Sequence, residues 1–275
     1  MTAPTPDRFD GKVAVVTGAG RGIGFTIART LAARGAHVII ADIDSERGKS
    51  AQAIIRTEGG RADHVAIDLA KPGAGADLVQ RAAALGGGLD ILVNNARAGA
   101  RLGFADETEA NWDLAHNVGT KAAFFATQAA ATFMRKRGGG AVVNIASVAG
   151  TQVTNEAPSY HATKAALLHL TRYLAVAAGE FGVRVNAVLP GLIVQDEHRE
   201  RFDRADNAPY RALAAAYQPL GQIGSEADVA EAVAFLCSPR AAYVSGACLT
   251  LDGAATTQEP FGLLLRSRAG QEEAA

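Results

Sequence analysis

Residues 12–24 read KVAVVTGAGRGIG, a β-branched apolar run that leads directly into a glycine-rich turn. The apolar run is typical of a strand buried on both faces, and the residues from Gly22 onward have helical periodicity. A strand, a glycine-rich turn and a helix in this order open many doubly wound α/β sheets. The stretch therefore predicts a sheet that begins near the N-terminus, with a turn whose backbone can approach a bound pyrophosphate.

Six further short apolar runs repeat the strand pattern along the chain. They lie at 37–41, 62–67, 89–93, 141–146, 183–188 and 248–251. Alanine-rich segments with helical periodicity lie between them, among them 22–34, 45–58, 122–137, 159–181 and 226–237. This alternation predicts a Rossmann-like, doubly wound parallel α/β sheet of about seven strands with helices on both faces.

The chain shows no interdomain linker and no internal repeat, so residues 1–275 are predicted to form a single domain. Within it we expect an N-terminal arm at 1–10 and a C-terminal tail at 254–275 whose polar tip frays. A charged, weakly periodic insertion at 195–218 interrupts the alternation of strands and helices. We interpret it as a substrate lid, with a solvated helix as the equal alternative.

The composition favours a soluble globular protein with small-molecule partners. Hydrophobic residues make up 48% and charged residues 20% of the chain, and the net charge of −1 comes from interspersed signs, which offers no basic surface for nucleic acid or an anionic membrane. No apolar run is long enough to span a membrane or to serve as a signal peptide. The two cysteines and six histidines lack metal-ligand spacing. We therefore predict a cytoplasmic protein without a metal site and without nucleic-acid or membrane partners.

The glycine-rich turn is weak evidence by itself, and Asp42 strengthens it. The glycines have the spacing Gly18-x-x-x-Gly22-x-Gly24, whereas the commoner Gly-x-Gly-x-x-Gly fits no register here. Asp42 follows Gly24 by 18 residues at the end of the second strand, where a carboxylate can accept hydrogen bonds from an adenosine ribose. Because it would repel a 2′-phosphate, we predict NAD(H) rather than NADP(H). Asp42 could instead cap the next helix, and Arg21 could still reach a 2′-phosphate.

A second informative pattern is Ser147 followed by Tyr160-x-x-x-Lys164. On a helix, positions i and i+4 share one face about 6 Å apart along the axis. A free tyrosine titrates near pH ~10, and a neighbouring ammonium is expected to lower the pKa of the phenol toward the working range. The pattern thus predicts an acid/base tyrosine with a serine hydroxyl aimed at the reacting oxygen. Taken by themselves, Tyr160 and Lys164 could instead be two solvent-exposed side chains on one face of a helix, with no catalytic role.

With these residues in order, the chain resembles the short-chain dehydrogenase/reductase family from Gly11 to about Gly253. The motifs that carry the resemblance are Thr17-Gly18…Gly22-x-Gly24, Asp68, Asn94-Asn95-Ala96, Asn117, Ser147, Tyr160-x-x-x-Lys164, Pro190-Gly191 and Leu251-Asp252-Gly253. The resemblance implies that Tyr160 is the acid/base and that Ser147 holds the substrate oxygen. It also implies that Lys164 lowers the tyrosine pKa and binds the nicotinamide ribose, while Asn117 holds a water that passes the proton onward.

The resemblance further implies hydride transfer between NAD(H) and a secondary alcohol or ketone, in a homo-oligomer that is a tetramer or dimer. The predicted cofactor contacts are Gly18, Arg21, Gly22, Ile23, Gly24, Asp42, Asp68, Leu69, Asn95, Ala96, Tyr160, Lys164, Pro190, Gly191 and Ile193. Two alternatives stay open at this point: an NADPH-dependent ketoreductase, and a nucleotide-binding regulator that keeps the fold without turnover.

Three positions depart from the family pattern. Arg97 stands where the family's Asn-Asn-Ala-Gly motif has glycine, with Gly99 two residues later. Arg97 either turns outward or places a cation near the cofactor diphosphate or an anionic substrate. The spacing from Trp112 to Asn117 is shorter than the family norm, which affects the placement of Asn117. Gln195 replaces a threonine that usually follows the Pro-Gly motif, and its amide could hydrogen-bond a nicotinamide carboxamide.

Overall fold

The computed structural model describes residues 7–259 and 261–263. Its strands are β1 (Val13–Thr17), β2 (His37–Asp42), β3 (Arg61–Ala66), β4 (Ile91–Asn94), β5 (Gly140–Ile145), β6 (Val183–Pro190), β7 (Ile193–Val194), β8 (Gly224–Ser225) and β9 (Cys248–Leu251). Seven of them form one parallel sheet in the order β3-β2-β1-β4-β5-β6-β9, and β7 pairs with β8 separately. The predicted seven-stranded parallel sheet is confirmed.

Helices cover both faces of this sheet. They are α1 (Gly22–Ala33), α2 (Ser45–Thr57), α3 (Ala74–Gly86), α4 (Glu109–His116), α5 (Ala122–Lys136), α6 (Pro158–Ala177), α7 (Arg199–Asp203), α8 (Ala208–Ala216) and α9 (Glu226–Cys237). Ala14 and Val16 of β1 pack into a core with α1 and α9, whereas Val13 and Val15 pack into a second core with α3 and α5. Successive side chains of a strand point to opposite faces, so a continuous apolar run is needed to fill both cores.

The strand order places a ligand crevice beside β1. From β1 the chain winds outward through β2 and β3, then returns to pair β4 with the other side of β1. Ligands of open α/β sheets bind beyond the carboxyl ends of the strands at such a reversal of strand order. The register pairs Val16 with Ile40 and with Val93, so the ends of β1, β2 and β4 meet at one edge.

The segment predicted as a lid, 195–218, contains α7 and α8 together with short 3₁₀ turns at Asp196–His198 and Ala205–Asn207. This helical content is compatible with a substrate lid and with a solvated helix, the two interpretations of the segment from the sequence. The helix predicted at 159–181 ends sooner, because α6 gives way to a 3₁₀ turn at Gly179–Phe181. The predicted arm and tail lie partly outside the described residues, and the fraying expected at the tail's tip falls outside them. Among the described helices, none is long and apolar enough to cross a membrane.

Candidate active site

The turn between β1 and α1 forms a cradle that only glycine permits at its key positions. Gly18 and Gly22 have φ of +61° and +58°, a region that L side chains rarely adopt. A Cβ on Gly24 would lie 2.2 Å from the carbonyl oxygen of Gly18. The N-cap of α1, Arg21, makes no side-chain cap hydrogen bond, so its own side chain leaves the first-turn N–H groups free to meet a ligand. The turn therefore presents backbone donors of the kind that bind a diphosphate.

Thr17, at the end of β1, joins this turn to the loop after β4. Its hydroxyl oxygen accepts hydrogen bonds from the N–H groups of Asn95 and Ala96, each at 2.9 Å. The Asn95 amide donates in return to the carbonyl oxygens of Thr17, at 2.9 Å, and Gly18, at 3.2 Å. These four bonds hold the walls of the crevice in one geometry. Sequence reasoning named Thr17 in the motif but did not assign it this positioning role.

Asp42 braces the turn from the end of β2. Its Oδ2 accepts from the N–H of Gly20 at 2.8 Å, and its Oδ1 accepts from the N–H of Asp44 at 2.9 Å. The N-cap of α2 is Asp44, whose carboxylate accepts from the N–H groups of Glu46 and Arg47. The alternative reading of Asp42 as the cap of this helix is therefore wrong, and its carboxylate stays at the crevice.

An open cavity of about 520 Å³ occupies the crevice. Nine predicted cofactor contacts line it: Gly18, Arg21, Ile23, Gly24, Asp42, Asp68, Leu69, Asn95 and Ala96. The other six, Gly22, Tyr160, Lys164, Pro190, Gly191 and Ile193, are not among its lining residues. Side chains that sequence reasoning left out also line it, namely Ile43, Asp44, Arg47, Leu114, Val118, Glu197 and His198. The size of the cavity and the glycine cradle fit a dinucleotide.

The cations beside Asp42 already have carboxylate partners. The Arg21 guanidinium lies 3.2 Å from the Glu197 carboxylate, and that of Arg47 lies 3.2 Å from Asp44. Glu197 belongs to the insertion at 195–218, so this ion pair joins the insertion to the glycine turn. Gln195 lies against the same turn, because a Cβ on Gly22 would be 2.4 Å from its Oε1. The insertion therefore contacts the cofactor crevice directly.

Ser147, Tyr160 and Lys164 come together beyond the end of β5. Ser147 caps a short 3₁₀ turn, and its hydroxyl lies close enough to the Tyr160 phenol to favour the ionised form of that phenol. Tyr160 and Lys164 lie on one face of α6, with the Lys164 Nζ 5.4 Å from the Tyr160 ring centroid. The same Nζ donates to the carbonyl oxygen of Ile145 at 2.6 Å. The structure thus places a hydroxyl, a phenol and an amine in one cluster.

The pKa of Tyr160 corrects one expectation from the sequence. We expected the Lys164 ammonium to lower it, but burial of the phenol raises it, and the nearby Ser147 hydroxyl and the charge of Arg97 only oppose that rise. Burial, with a smaller contribution from Arg97, lowers the pKa of Lys164 to about 7. A lysine that releases its proton near neutral pH is a weak electrostatic partner, which explains the difference.

Asn117 begins a π-helical segment, Asn117–Lys121, that joins α4 to α5. Its carbonyl oxygen accepts from the N–H of Ala122, five residues on, which is the hydrogen bond of a π turn. The segment packs closely on α6, because a Cβ on Gly119 would lie 2.4 Å from the Cγ2 of Thr163. Thr163 precedes Lys164, so the fold brings the segment that begins at Asn117 against α6 next to Lys164.

Arg97 lies beside Tyr160 and does not turn away from the site. Its Cζ is 5.7 Å from the Tyr160 ring centroid, and its side chain lines the cavity. Gly99, two residues later, has φ of +99° and lets the loop turn. The Asn111 amide fixes this loop, since its Oδ1 accepts from the N–H of Ala100 at 2.6 Å. Of the two interpretations of Arg97, the structure supports a cation in the pocket.

Comparison with known proteins agrees with this geometry. The family model described as Enoyl-(Acyl carrier protein) reductase matches residues 18–256. A relative named Dehydrogenase/reductase SDR family member 4, from Bos taurus, is 36% identical over 249 residues, covering 89% of this chain and 87% of the relative. The chain belongs to the short-chain dehydrogenase/reductase family. It is an oxidoreductase of that family, and the membership supports a nicotinamide cofactor.

Solved structures of the family share the fold across most of the chain. A 7alpha-hydroxysteroid dehydrogenase complexed with NADH and 7-oxo glycochenodeoxycholic acid is 35% identical with a TM-score of 0.81, covering 90% of this chain and 94% of that one. A 3-oxoacyl (acyl-carrier-protein) reductase from Agrobacterium tumefaciens C58, with NADP bound, is 31% identical with a TM-score of 0.82, covering 90% and 95%. Similar short-chain dehydrogenase/reductase structures therefore carry either nicotinamide cofactor.

Proposed function

We propose that the protein transfers a hydride between NAD(H) and a secondary alcohol or ketone, with Tyr160 as the acid/base. The observation that carries this proposal is the cluster of Ser147, Tyr160 and Lys164, with the Lys164 Nζ 5.4 Å from the Tyr160 ring centroid, beside a cavity of dinucleotide size. A hydroxyl and a phenol that lie close together can bind one substrate oxygen between them, which is the arrangement that carbonyl reduction requires.

The choice of NAD(H) rests on the charges around Asp42. Its carboxylate faces the cavity at the end of β2, where it can accept hydrogen bonds from the ribose and would repel a 2′-phosphate. The two arginines that could offset that repulsion, Arg21 and Arg47, are paired with Glu197 and Asp44. Binding a 2′-phosphate would require these ion pairs to break. The NADPH-dependent alternative is therefore the less favoured one.

In the proposed mechanism, Ser147 and Tyr160 bind the substrate oxygen and stabilise the charge that develops on it. A bound nicotinamide supplies or accepts the hydride. Tyr160 donates the matching proton when a ketone is reduced and accepts it when an alcohol is oxidised. Lys164, whose Nζ donates to the Ile145 carbonyl oxygen, would bind the nicotinamide ribose and, in its protonated form, stabilise the phenolate of Tyr160. Asn117 would hold a water that returns the proton to solvent.

The proposal also covers the compartment of the protein and its oligomeric state. The two free cysteines suit a reducing compartment such as the cytoplasm, and the interspersed charges favour small-molecule partners. A homo-oligomer is proposed on the strength of the family resemblance, with α5 and α6 as the helices that would meet a second copy. Their exposed side chains include Phe125, Tyr173 and Val176.

The test begins with binding. NADH and NADPH are titrated separately into the purified, cofactor-free protein, and nicotinamide fluorescence is followed together with energy transfer from Trp112. We expect tighter binding of NADH in the wild type. The Asp42→Asn variant should bind NADH more weakly and should prefer NADH over NADPH by a smaller factor. The substitution removes the charge but keeps a side chain of similar size. Preference of the wild type for NADPH would contradict the role given to Asp42.

The catalytic part is tested in the same preparation with a screen of secondary alcohols and ketones. Tyr160→Phe should abolish turnover and leave the Kd of NADH nearly unchanged, because only the phenol oxygen is lost. Lys164→Ala should impair both turnover and the binding of NADH. Normal turnover by Tyr160→Phe would exclude its role as acid/base. Tight cofactor binding without turnover of any substrate would favour the alternative of a non-catalytic regulator.

A further inference from the structure

Arg97 gives the reacting end of the pocket an unpaired cation. Its side chain is exposed and forms no ion pair or hydrogen bond with any residue in the described ranges 7–259 and 261–263. Its Cζ lies 5.7 Å from the Tyr160 ring centroid, close to the 5.4 Å that separates the Lys164 Nζ from the same point. Two basic groups therefore lie near one phenol.

Arg101, in the same loop, differs from Arg97 because it has a carboxylate partner. Arg101 lies four residues further along and forms an ion pair with Glu156, which precedes α6. That pair leaves Glu156 engaged and gives no counter-charge to Arg97. The charge of Arg97 also contributes to the lowered pKa of Lys164, as expected when like charges lie close together.

The guanidinium of Arg97 is located by its contact with the Tyr160 ring. The backbone donors for a diphosphate lie at the glycine turn and the start of α1, whereas Arg97 lies over the ring of the proposed acid/base. An anion held by Arg97 would thus be part of the molecule whose oxygen contacts Tyr160. Arginine binds a carboxylate through two parallel N–H donors, which fixes the direction of the ligand as well as its charge.

We propose that Arg97 binds the carboxylate of the substrate, and that the substrates are short oxo acids and the corresponding hydroxy acids. This inference rests on the proposed function and adds the substrate class to it. In the reducing direction, the carbonyl carbon gains the hydride of NADH and the carbonyl oxygen gains the proton of Tyr160. The oxo acid becomes a hydroxy acid, NADH becomes NAD⁺, and the carboxylate is unchanged.

The experiment compares 2-, 3- and 4-oxopentanoate with their methyl esters, which keep the carbonyl and remove the charge. For wild type we expect kcat/KM to be higher for at least one of the acids than for its ester. Arg97→Gln should lower kcat/KM for that acid roughly 10- to 100-fold, as expected for loss of a charge-assisted hydrogen bond, and should change the ester much less. Arg97→Lys should restore part of the preference.

The ratio of acid to ester is the decisive readout, because any effect of the Arg97 charge on the Tyr160 phenol acts on both substrates equally. The double variant Arg101→Gln/Glu156→Gln is the matched control, since it removes a cation of the same loop together with its carboxylate partner, and it should leave the ratio unchanged. The inference is overturned if Arg97→Gln and wild type have the same ratio. If Arg97→Gln instead raises the Kd of NADH and leaves the acid-to-ester ratio of kcat/KM unchanged, Arg97 would be assigned to the cofactor diphosphate.

Calorimetric titration of the same acids into the NAD⁺-saturated protein, which cannot reduce them, keeps the two proposals separate. Binding by wild type that is lost in Arg97→Gln supports the carboxylate site even if the chosen ketones are not reduced. Equal binding by both proteins, or none by either, overturns it. Turnover of the esters without any preference for the acids would refute this inference while supporting the proposed function. Failure of every ketone and alcohol would count against the proposed function alone.

Discussion

Replacing Lys164 with methionine should make the protein more stable near neutral pH while it abolishes activity. Lys164 is 4% exposed, and burial, with a smaller contribution from Arg97, lowers its pKa from 10.5 to about 7. Between these two values the unfolded chain holds a proton that the folded chain has released, so stability rises as the pH increases. The energetic cost of the buried amine is complete below about pH 7 and disappears above pH 10.5.

The magnitude follows from the change in pKa. At about 1.36 kcal/mol per pKa unit, the buried amine costs about 4 kcal/mol of folding free energy at pH 7 and about 2 kcal/mol at pH 9. Methionine removes this cost but loses the hydrogen bond to the Ile145 carbonyl oxygen, which is worth about 1 kcal/mol. We therefore expect Lys164→Met to be more stable than wild type by about 3 kcal/mol at pH 7 and about 1 kcal/mol at pH 9.

Urea denaturation followed by circular dichroism at pH 7 and pH 9 measures this difference, at one fixed protein concentration because an oligomer's stability depends on it. The lost hydrogen bond contributes equally at both pH values, so the fall of about 2 kcal/mol between them isolates the amine. Lys121→Met is the matched control, since Lys121 is exposed and its ammonium is hydrated in both states. A stability difference that stays constant from pH 7 to pH 9 would refute the reasoning.

Two further predictions concern the glycine turn and the loop after β4. Gly24→Ala should raise the Kd of NADH at least about tenfold, because its Cβ would lie 2.2 Å from the Gly18 carbonyl oxygen. In the fluorescence titration, Gly179→Ala is the control with nothing within 4 Å of its added Cβ, and an unchanged Kd for Gly24→Ala would disprove the tight approach. Hydrogen bonds from Asn111 and Ser159 lower the pKa of Glu107 to about 2, so its ionised form favours folding above pH 4.5 and that contribution is lost as the pH falls toward 2. Thermal melts of Glu107→Gln should therefore show lower stability than wild type at pH 7 and a smaller difference at pH 3, and a difference that grows toward acid would contradict this role.

The sequence predicted the sheet because each central strand is buried on both faces. A run such as 13–17 must be apolar throughout to fill two cores, and that requirement is visible without any structure. The short β7 and β8 strands were not predicted, since two residues carry no periodicity. Their pairing depends on where the insertion at 195–218 returns to the sheet, which is a long-range contact.

Local spacing also predicted part of the candidate site. Tyr160 and Lys164 share a face because four residues make about one helical turn, and the glycine turn is readable because only glycine adopts its conformation freely. The hydrogen bond between the N–H of Asn95 and the Thr17 hydroxyl joins residues 78 positions apart, and the ion pair of Arg21 with Glu197 joins residues 176 positions apart. No local pattern in the sequence could indicate either contact.

The sequence by itself therefore determined which strand and helix carry each chemical group, because hydrophobic period and local spacing are properties of neighbouring residues. Tertiary structure alone decided how those groups behave. It raised the pKa of Tyr160 where the lysine spacing suggested a fall, and it turned Arg97 toward the phenol. Both outcomes depend on burial and on distances between segments far apart in the chain, since desolvation and Coulomb interactions act through space.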